Sequence, residues 1–70
     1  MEFELKCKFL GQEEKHSKKG NKYNVVSLVQ GVDTLKLMSD FELDFEFGQD
    51  LIAIIDYNLT YKSMRLIGVK

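Results

Sequence analysis

The sequence lacks the side chains from which a catalytic or metal-binding site is usually assembled. It has one histidine and one cysteine, so it offers neither a cluster of metal ligands nor an intramolecular disulfide. His16 has no evident nucleophile partner, and Asp44 and Glu46 lie among other solvated acids without a predicted pocket. The glycines lie at element ends and form no phosphate-binding pattern. We therefore predict no catalytic residue, no metal site and no cofactor.

Long apolar runs are also missing. No stretch approaches the length that spans a membrane, and residues 1–6 carry acids where a secretory signal peptide has a basic segment. A lone cysteine suits a reducing compartment. We therefore predict a cytoplasmic protein with no membrane contact and no small-molecule substrate.

Proline is absent, and the chain has no internal repeat or low-complexity linker. With 44% hydrophobic residues, it is too apolar for disorder, so residues 1–70 are predicted to fold as one domain. Seventy residues are close to the lower limit for independent folding. Dimerisation is therefore expected, with Ile52 and Ile54 as the hypothetical contact, because they are apolar residues beyond those that one small core needs.

An excess of positive charge is missing as well, because eleven acidic residues face ten basic ones. Any affinity for nucleic acid must therefore come from the placement of charge. The acids crowd residues 40–50, where there is no base. Four of the bases crowd residues 15–22, namely Lys15, Lys18, Lys19 and Lys22.

The clearest pattern that is present is alternation over residues 2–10, which predicts a strand. Phe3, Leu5, Cys7 and Phe9 share its apolar face, so Cys7 is predicted to be a small core residue and not a reactive thiol. Further strands are predicted at residues 22–30, 34–38, 50–59 and 63–69.

The segment at residues 39–48 fits two structures. Its phenylalanines alternate with acids as in a strand, but a short helical turn capped by Ser39 or Asp40 also fits. We expect an extended or single-turn connection that lays phenylalanines over the end of a barrel. Five short strands with this gap predict an all-β fold, a small five-stranded OB-like barrel with a short or absent helix between strands 3 and 4.

The polar segment at residues 11–23 is predicted to be the loop between the first two strands. Its lysines and Tyr23 combine cations with a flat ring, the pairing that binds single-stranded nucleic acid. The alternative is a solvated hairpin loop with a half-buried tyrosine. The register decides between them: if Val26 and Leu28 point inward, Tyr23 points outward, and in the opposite register Tyr23 lies in the core.

A second cluster near the C-terminus repeats this mixture of ring and cation, although Tyr61 would also fit as a cap on the barrel end. Outward-facing Lys36 is expected beside Tyr23. The candidate nucleic-acid-binding residues are Lys15, Lys18, Lys19, Lys22, Tyr23, Lys36, Tyr61, Lys62 and Arg65.

Two segments carry a resemblance to a known family. Residues 18–23, Lys-Lys-Gly-Asn-Lys-Tyr, and residues 59–69 resemble the OB-fold single-stranded-DNA-binding proteins of phages, including the helix-destabilising proteins of filamentous phages. The resemblance implies stacking by Tyr23, phosphate contacts from Lys18, Lys19 and Lys22, and a second aromatic at Tyr61. It also implies a homodimer that coats single strands cooperatively. The chain differs from the family in its shorter connection between strands 3 and 4 and its slight acidity.

Two functions from different classes follow. The first is a non-catalytic protein that binds single-stranded DNA, with RNA as the alternative strand, in the replication or recombination of a phage or mobile element. The second is a small protein-protein interaction module that uses its acidic 40–50 segment or an exposed sheet edge.

Overall fold

Five β-strands and no helix make up the computed structural model, which describes all residues, 1–70. The strands are β1 (Glu2–His16), β2 (Lys22–Gln30), β3 (Asp33–Ser39), β4 (Asp50–Asn58) and β5 (Ser63–Val69). They close into a barrel in the order β1-β2-β3-β5-β4, in which only β3 and β5 are parallel neighbours. The predicted all-β, OB-like barrel without a helix between β3 and β4 is confirmed.

β1 is the longest strand and belongs to both halves of the barrel. Its first half, from Glu2 to Lys8, pairs with β4, and its second half, from Lys8 to His16, pairs with β2. The register with β2 shifts between Phe9 and Gly11, which leaves one extra residue in a β-bulge. Because a bulge bends and twists its strand, β1 turns from one half of the barrel into the other at this point.

The predicted loop at residues 11–23 is mostly strand, so its bounds were wrong. β1 runs on to His16 and β2 begins at Lys22, which leaves only residues 17–21 as a tight turn. Ser17 closes this turn: its N–H donates to the Asn21 carbonyl at 2.8 Å, and its hydroxyl accepts from the Asn21 N–H at 3.1 Å. The end of β1 is exposed on both faces, so it has no apolar alternation that would have identified a strand.

The core lies inside the barrel and contains side chains from all five strands and from the β3–β4 connection. Cys7 is buried in it, as predicted, and burial raises the pKa of its thiol. Phe3 shares the apolar face of β1 but is 39% exposed. It lies about 20 Å along β1 from Phe9, at the end of the barrel that the β3–β4 connection does not cover.

That connection, residues 40–49, crosses the other barrel end in an extended conformation and is called the strap below. Two amide side chains hold it. Gln12 donates from Nε2 to the Leu43 carbonyl at 2.6 Å and accepts at Oε1 from the Leu43 N–H at 2.9 Å. Asn24 donates from Nδ2 to Gln12 Oε1 at 2.7 Å and to the Phe41 carbonyl at 3.2 Å. At Phe41 and Leu43 the strap backbone is therefore bonded by side chains and not by helical hydrogen bonds.

The strap also supplies apolar cover to the barrel end. Leu43 is buried, Phe41 and Phe45 pack against the core, and the Phe45 ring meets the Phe9 ring edge-on with centroids 6.1 Å apart. Phe47 is the exception, because it is 80% exposed. Of the three phenylalanines in the strap, Phe41 and Phe45 cover the barrel end as expected, and Phe47 does not.

Candidate nucleic-acid interface

Tyr23 lies on the outward face of β2. Val26 and Leu28 are fully buried, and because side chains alternate along a strand, the odd-numbered residues of β2 point away from the core. Tyr23 is half-buried there. Of the two possible registers of β2, the structure therefore has the one in which the Tyr23 ring faces the surface.

Lys15 is the direct cross-strand neighbour of Tyr23. Opposed residues on one face of an antiparallel pair have Cβ atoms about 4.5–5.5 Å apart, so an ammonium group and a phenol ring share one surface. Glu13 lies on the same face of β1, opposite Val25. We call the outward-facing residues of β2 and β3, with the β1 and β5 residues that pair with them, the sheet face.

The lysines of the 17–21 turn differ from their neighbour at the start of β2. Lys18 and Lys19 are exposed and form none of the four ion pairs in the structure. Lys22 is also exposed, but its Nζ lies 3.7 Å from Glu14 Oε1. Part of its charge is therefore balanced within the hairpin.

Lys36 is exposed and faces outward on β3, as expected, but it does not lie beside Tyr23. Its cross-strand partner is Ser27, four residues along β2 and so about 13 Å from Tyr23. The register set by the short β2–β3 turn causes this offset, because the last pair of that hairpin is Asn24 with Ser39. The expectation that Lys36 lies beside Tyr23 was therefore wrong.

The gap between Tyr23 and Lys36 holds an apolar pair. Val25 is opposite Met38, and Met38 is 49% exposed. A flexible thioether makes favourable contacts with flat rings. Met38 was not among the predicted binding residues, although its alternation with buried Leu37 places it on the outward face of β3.

Arg65 brings the second predicted cluster to the edge of the sheet face. It pairs with Met38 through the parallel contact between β3 and β5. Its Nη2 lies 3.4 Å from Asp40 Oδ2, and both side chains are more than half exposed. Arg65 is therefore positioned at the face but is already matched with an acid.

The turn between β4 and β5 carries Tyr61 and Lys62. Tyr61 is 78% exposed, so it does not cap the barrel end. Asn58 Oδ1 accepts from the N–H groups of Thr60 and Tyr61, at 2.9 and 3.1 Å, which fixes the start of the turn. Lys62 has a φ of 52°, a left-handed conformation that is strained for a residue with a side chain.

The two turns flank the sheet face. Residues 17–21 extend from the end that holds Tyr23. β5 runs parallel to β3, with Arg65 opposite Met38, so the 59–62 turn that precedes β5 lies toward the start of β3, at the end away from Tyr23. In OB folds the β2–β3 surface and these two turns are the parts that bind oligonucleotides.

The acids are concentrated elsewhere, on the strap and at the start of β4. All are exposed, and they are Asp40, Glu42, Asp44, Glu46 and Asp50. Most of the acids therefore lie at the barrel end, although Glu13 lies on the sheet face and Asp40 reaches Arg65 at its edge. No group of three His, Cys, Asp or Glu side chains has the geometry to hold a metal ion.

Comparisons with protein families, with curated proteins and with solved structures find no match to this chain. The resemblance of residues 18–23 and 59–69 to phage proteins thus stays a prediction. The structure contains no helix that is long and apolar enough to cross a membrane.

Proposed function

We propose that this protein binds single-stranded DNA without catalysis, with the sheet face as the binding surface. The observation that carries the proposal is the outward position of Tyr23, directly opposite Lys15, on the surface that OB folds use for oligonucleotides. Single-stranded RNA is the alternative ligand. The proposed setting is the cytoplasm, in the replication or recombination of a phage or mobile element.

Stacking and phosphate contacts would share the binding energy. A base stacked on an aromatic side chain contributes about 1–3 kcal/mol, and Tyr23 and Tyr61 offer two such rings. The cations without an acidic partner on or beside the sheet face include Lys15, Lys18, Lys19 and Lys36. Three or four phosphate contacts give a slope of log K against log salt of about −2 to −3 for a single strand.

The proposal includes a homodimer. Ile52 and Ile54 face outward on β4 and are half-buried, although Ile54 partly covers Gly68 of its own chain, at 3.4 Å from the position a Cβ would take. A second copy would cover the rest of this apolar pair. Sedimentation that shows only monomer at micromolar concentrations would contradict this part and leave the nucleic-acid proposal standing.

Fluorescence anisotropy with labelled oligo-dT tests the main proposal. We expect binding at about 50 mM salt that weakens strongly at about 200 mM, and weaker binding to a duplex of equal length. Because the affinity is assigned to stacking on unpaired bases, equal affinity for duplex and single strand would contradict it.

A second candidate function is favoured by Phe47. This ring is 80% exposed at a turn in which Gly48 has a φ of 82° and the Gly48 N–H donates to the Phe9 carbonyl at 2.7 Å. Exposed Glu46 precedes it in the chain and exposed Asp50 follows three residues later, so a protein partner with a basic, apolar surface would fit. Absence of oligo-dT binding even at low salt would make this interaction module the leading hypothesis.

A further inference from the structure

The largest cavity of the protein adjoins the sheet face at Val29, at the end of β2 away from Tyr23. It is an open groove of about 630 Å³. Its floor is β1 at Lys6 to Lys8, and its walls are the end of β2 and the start of β4. It lies where β1 changes partner: Lys8 pairs with both Val29 and Asp50, whereas the β1 residues on either side of it pair with only one of the two strands.

Two unpaired cations line the groove. Lys6 and Lys8 lie two residues apart on the outward face of β1, about 7 Å from each other along the strand, and neither forms an ion pair. Asp50 is the one carboxylate in the lining, and Val29 and Ile52 supply aliphatic surface. Gln30 fixes one wall, because its Nε2 donates to the Lys6 carbonyl at 3.0 Å.

The groove is continuous with the sheet face. Val29 lines the groove and is also the last outward-facing residue of β2, where it pairs with Thr34 of β3. Lys36 is opposite Ser27 of β2, and Lys8 of β1 is opposite Val29, two residues further along β2. Two strand spacings and a two-residue offset separate Lys36 from Lys8 by about 12 Å. The volume falls in the range of about 300–1,000 Å³ that small ligands occupy, so a nucleotide fits.

We propose that this groove is a second subsite for the single strand. A strand that leaves the sheet face near Lys36 passes over Val29, and its next phosphates contact Lys8 and Lys6. This inference rests on the proposed function and extends the binding surface past Lys8, which pairs with Val29 at the end of the sheet face, to Lys6 and the start of β4. Neither lysine was among the residues predicted to bind nucleic acid.

The test compares two lengths of oligo-dT with a Lys6→Gln/Lys8→Gln variant. Oligomers of about 4 and about 12 nucleotides bracket the site sizes of OB folds, so only the longer one reaches from the sheet face into the groove. Each lost phosphate contact makes the negative slope of log K against log salt shallower by about 0.7. For the longer oligomer we therefore expect the slope to become shallower by about 1.4. The ratio of the Kd at about 200 mM salt to the Kd at about 50 mM salt should then fall about sevenfold. The shorter oligomer should bind as before.

Lys70→Gln is the matched control for each single lysine variant. Lys70 is exposed, pairs with Glu4 and lies outside the groove, so its loss changes the net charge equally without removing a proposed contact. If a Lys6→Gln or Lys8→Gln variant binds the longer oligomer with the same affinity and salt dependence as this control, the groove subsite alone is overturned. The same holds if the variant loses affinity equally for both oligomers. If the unmodified protein binds neither oligomer, the proposed function falls and the subsite falls with it.

Discussion

The strap and the sheet face use polar side chains in opposite ways. Under the strap, Gln12 and Asn24 are neutral amides that bond each other and the strap backbone, and no buried polar side-chain atom in the protein lacks a partner. On and beside the sheet face, by contrast, lysines such as Lys15 and Lys36 make no ion pair at all. Polar groups that hold a fold must be satisfied internally, whereas cations that meet phosphates must be free. Changes under the strap should therefore alter stability, and changes on the sheet face should alter binding.

The largest effect is expected from Asn24→Ala. Asn24 is buried, and its removal deletes two hydrogen bonds, to Gln12 Oε1 and to the Phe41 carbonyl. Each acceptor keeps one other donor, the Leu43 N–H and the Ser39 hydroxyl respectively. At about 1 kcal/mol for each lost bond, we expect the free energy of unfolding to fall by about 2 kcal/mol in urea denaturation. Oligo-dT affinity of the folded variant should not change.

Gln30→Ala is the stability control for that substitution. Gln30 also donates an amide hydrogen to a backbone carbonyl, but on an exposed surface. Its loss should cost about 0.5 kcal/mol, the usual range for exposed substitutions. An Asn24→Ala variant no less stable than this control would show that the strap is held by its apolar contacts instead.

The next effect concerns Tyr23→Ala. Loss of a stacked ring should raise the Kd for oligo-dT about 5- to 150-fold, which corresponds to about 1–3 kcal/mol. Tyr23→Phe keeps the ring and removes only the hydroxyl, so it should bind within about a factor of two of the unmodified protein if stacking is the main interaction. Anisotropy titration of both variants measures this difference. Unchanged affinity in a folded Tyr23→Ala variant would remove Tyr23 from the interface.

Sequence patterns predicted those features of the sheet face that depend on alternation alone. The inward positions of Val26 and Leu28 followed from apolar periodicity, and they fix the outward direction of Tyr23. Alternation could not reveal that β1 continues to His16, because a strand that extends beyond the core has no buried side. It also could not align β3 with β2, and a register error of a few residues was enough to place Lys36 beside Tyr23.

Contacts between distant segments were equally beyond sequence analysis. The pairing of Arg65 with Asp40 depends on how β5 meets the end of β3. The role of Gln12 depends on the path of the strap, which is 31 residues further along the chain. The groove at Lys6 and Lys8 lies where β1 changes from one partner strand to the other. Each of these features arises from tertiary packing and leaves no local pattern.

Lys62→Gly tests whether a residue on the binding side carries strain. Lys62 is the only non-glycine residue with a positive φ, a conformation that costs a residue with a Cβ about 1 kcal/mol or more. Glycine should therefore raise the free energy of unfolding by about 1 kcal/mol while the lost cation weakens oligo-dT binding. Lys19→Gly, at a position without a positive φ, should instead lower stability in urea denaturation. Improved stability with unchanged binding would mean that Lys62 contacts no phosphate.

The smallest effect separates free from paired cations within one hairpin. Lys15→Gln should make the slope of log K against log salt shallower by about 0.7, the value for one phosphate contact. Lys22→Gln should change this slope less, because Glu14 lies 3.7 Å from the Lys22 ammonium and competes with a phosphate for that ammonium. Glu14→Gln removes the competitor, so in that background the two lysine substitutions should have equal effects, which anisotropy at several salt concentrations can measure. If Lys22→Gln still changes the slope less, its position and not its ion pair keeps it from the strand.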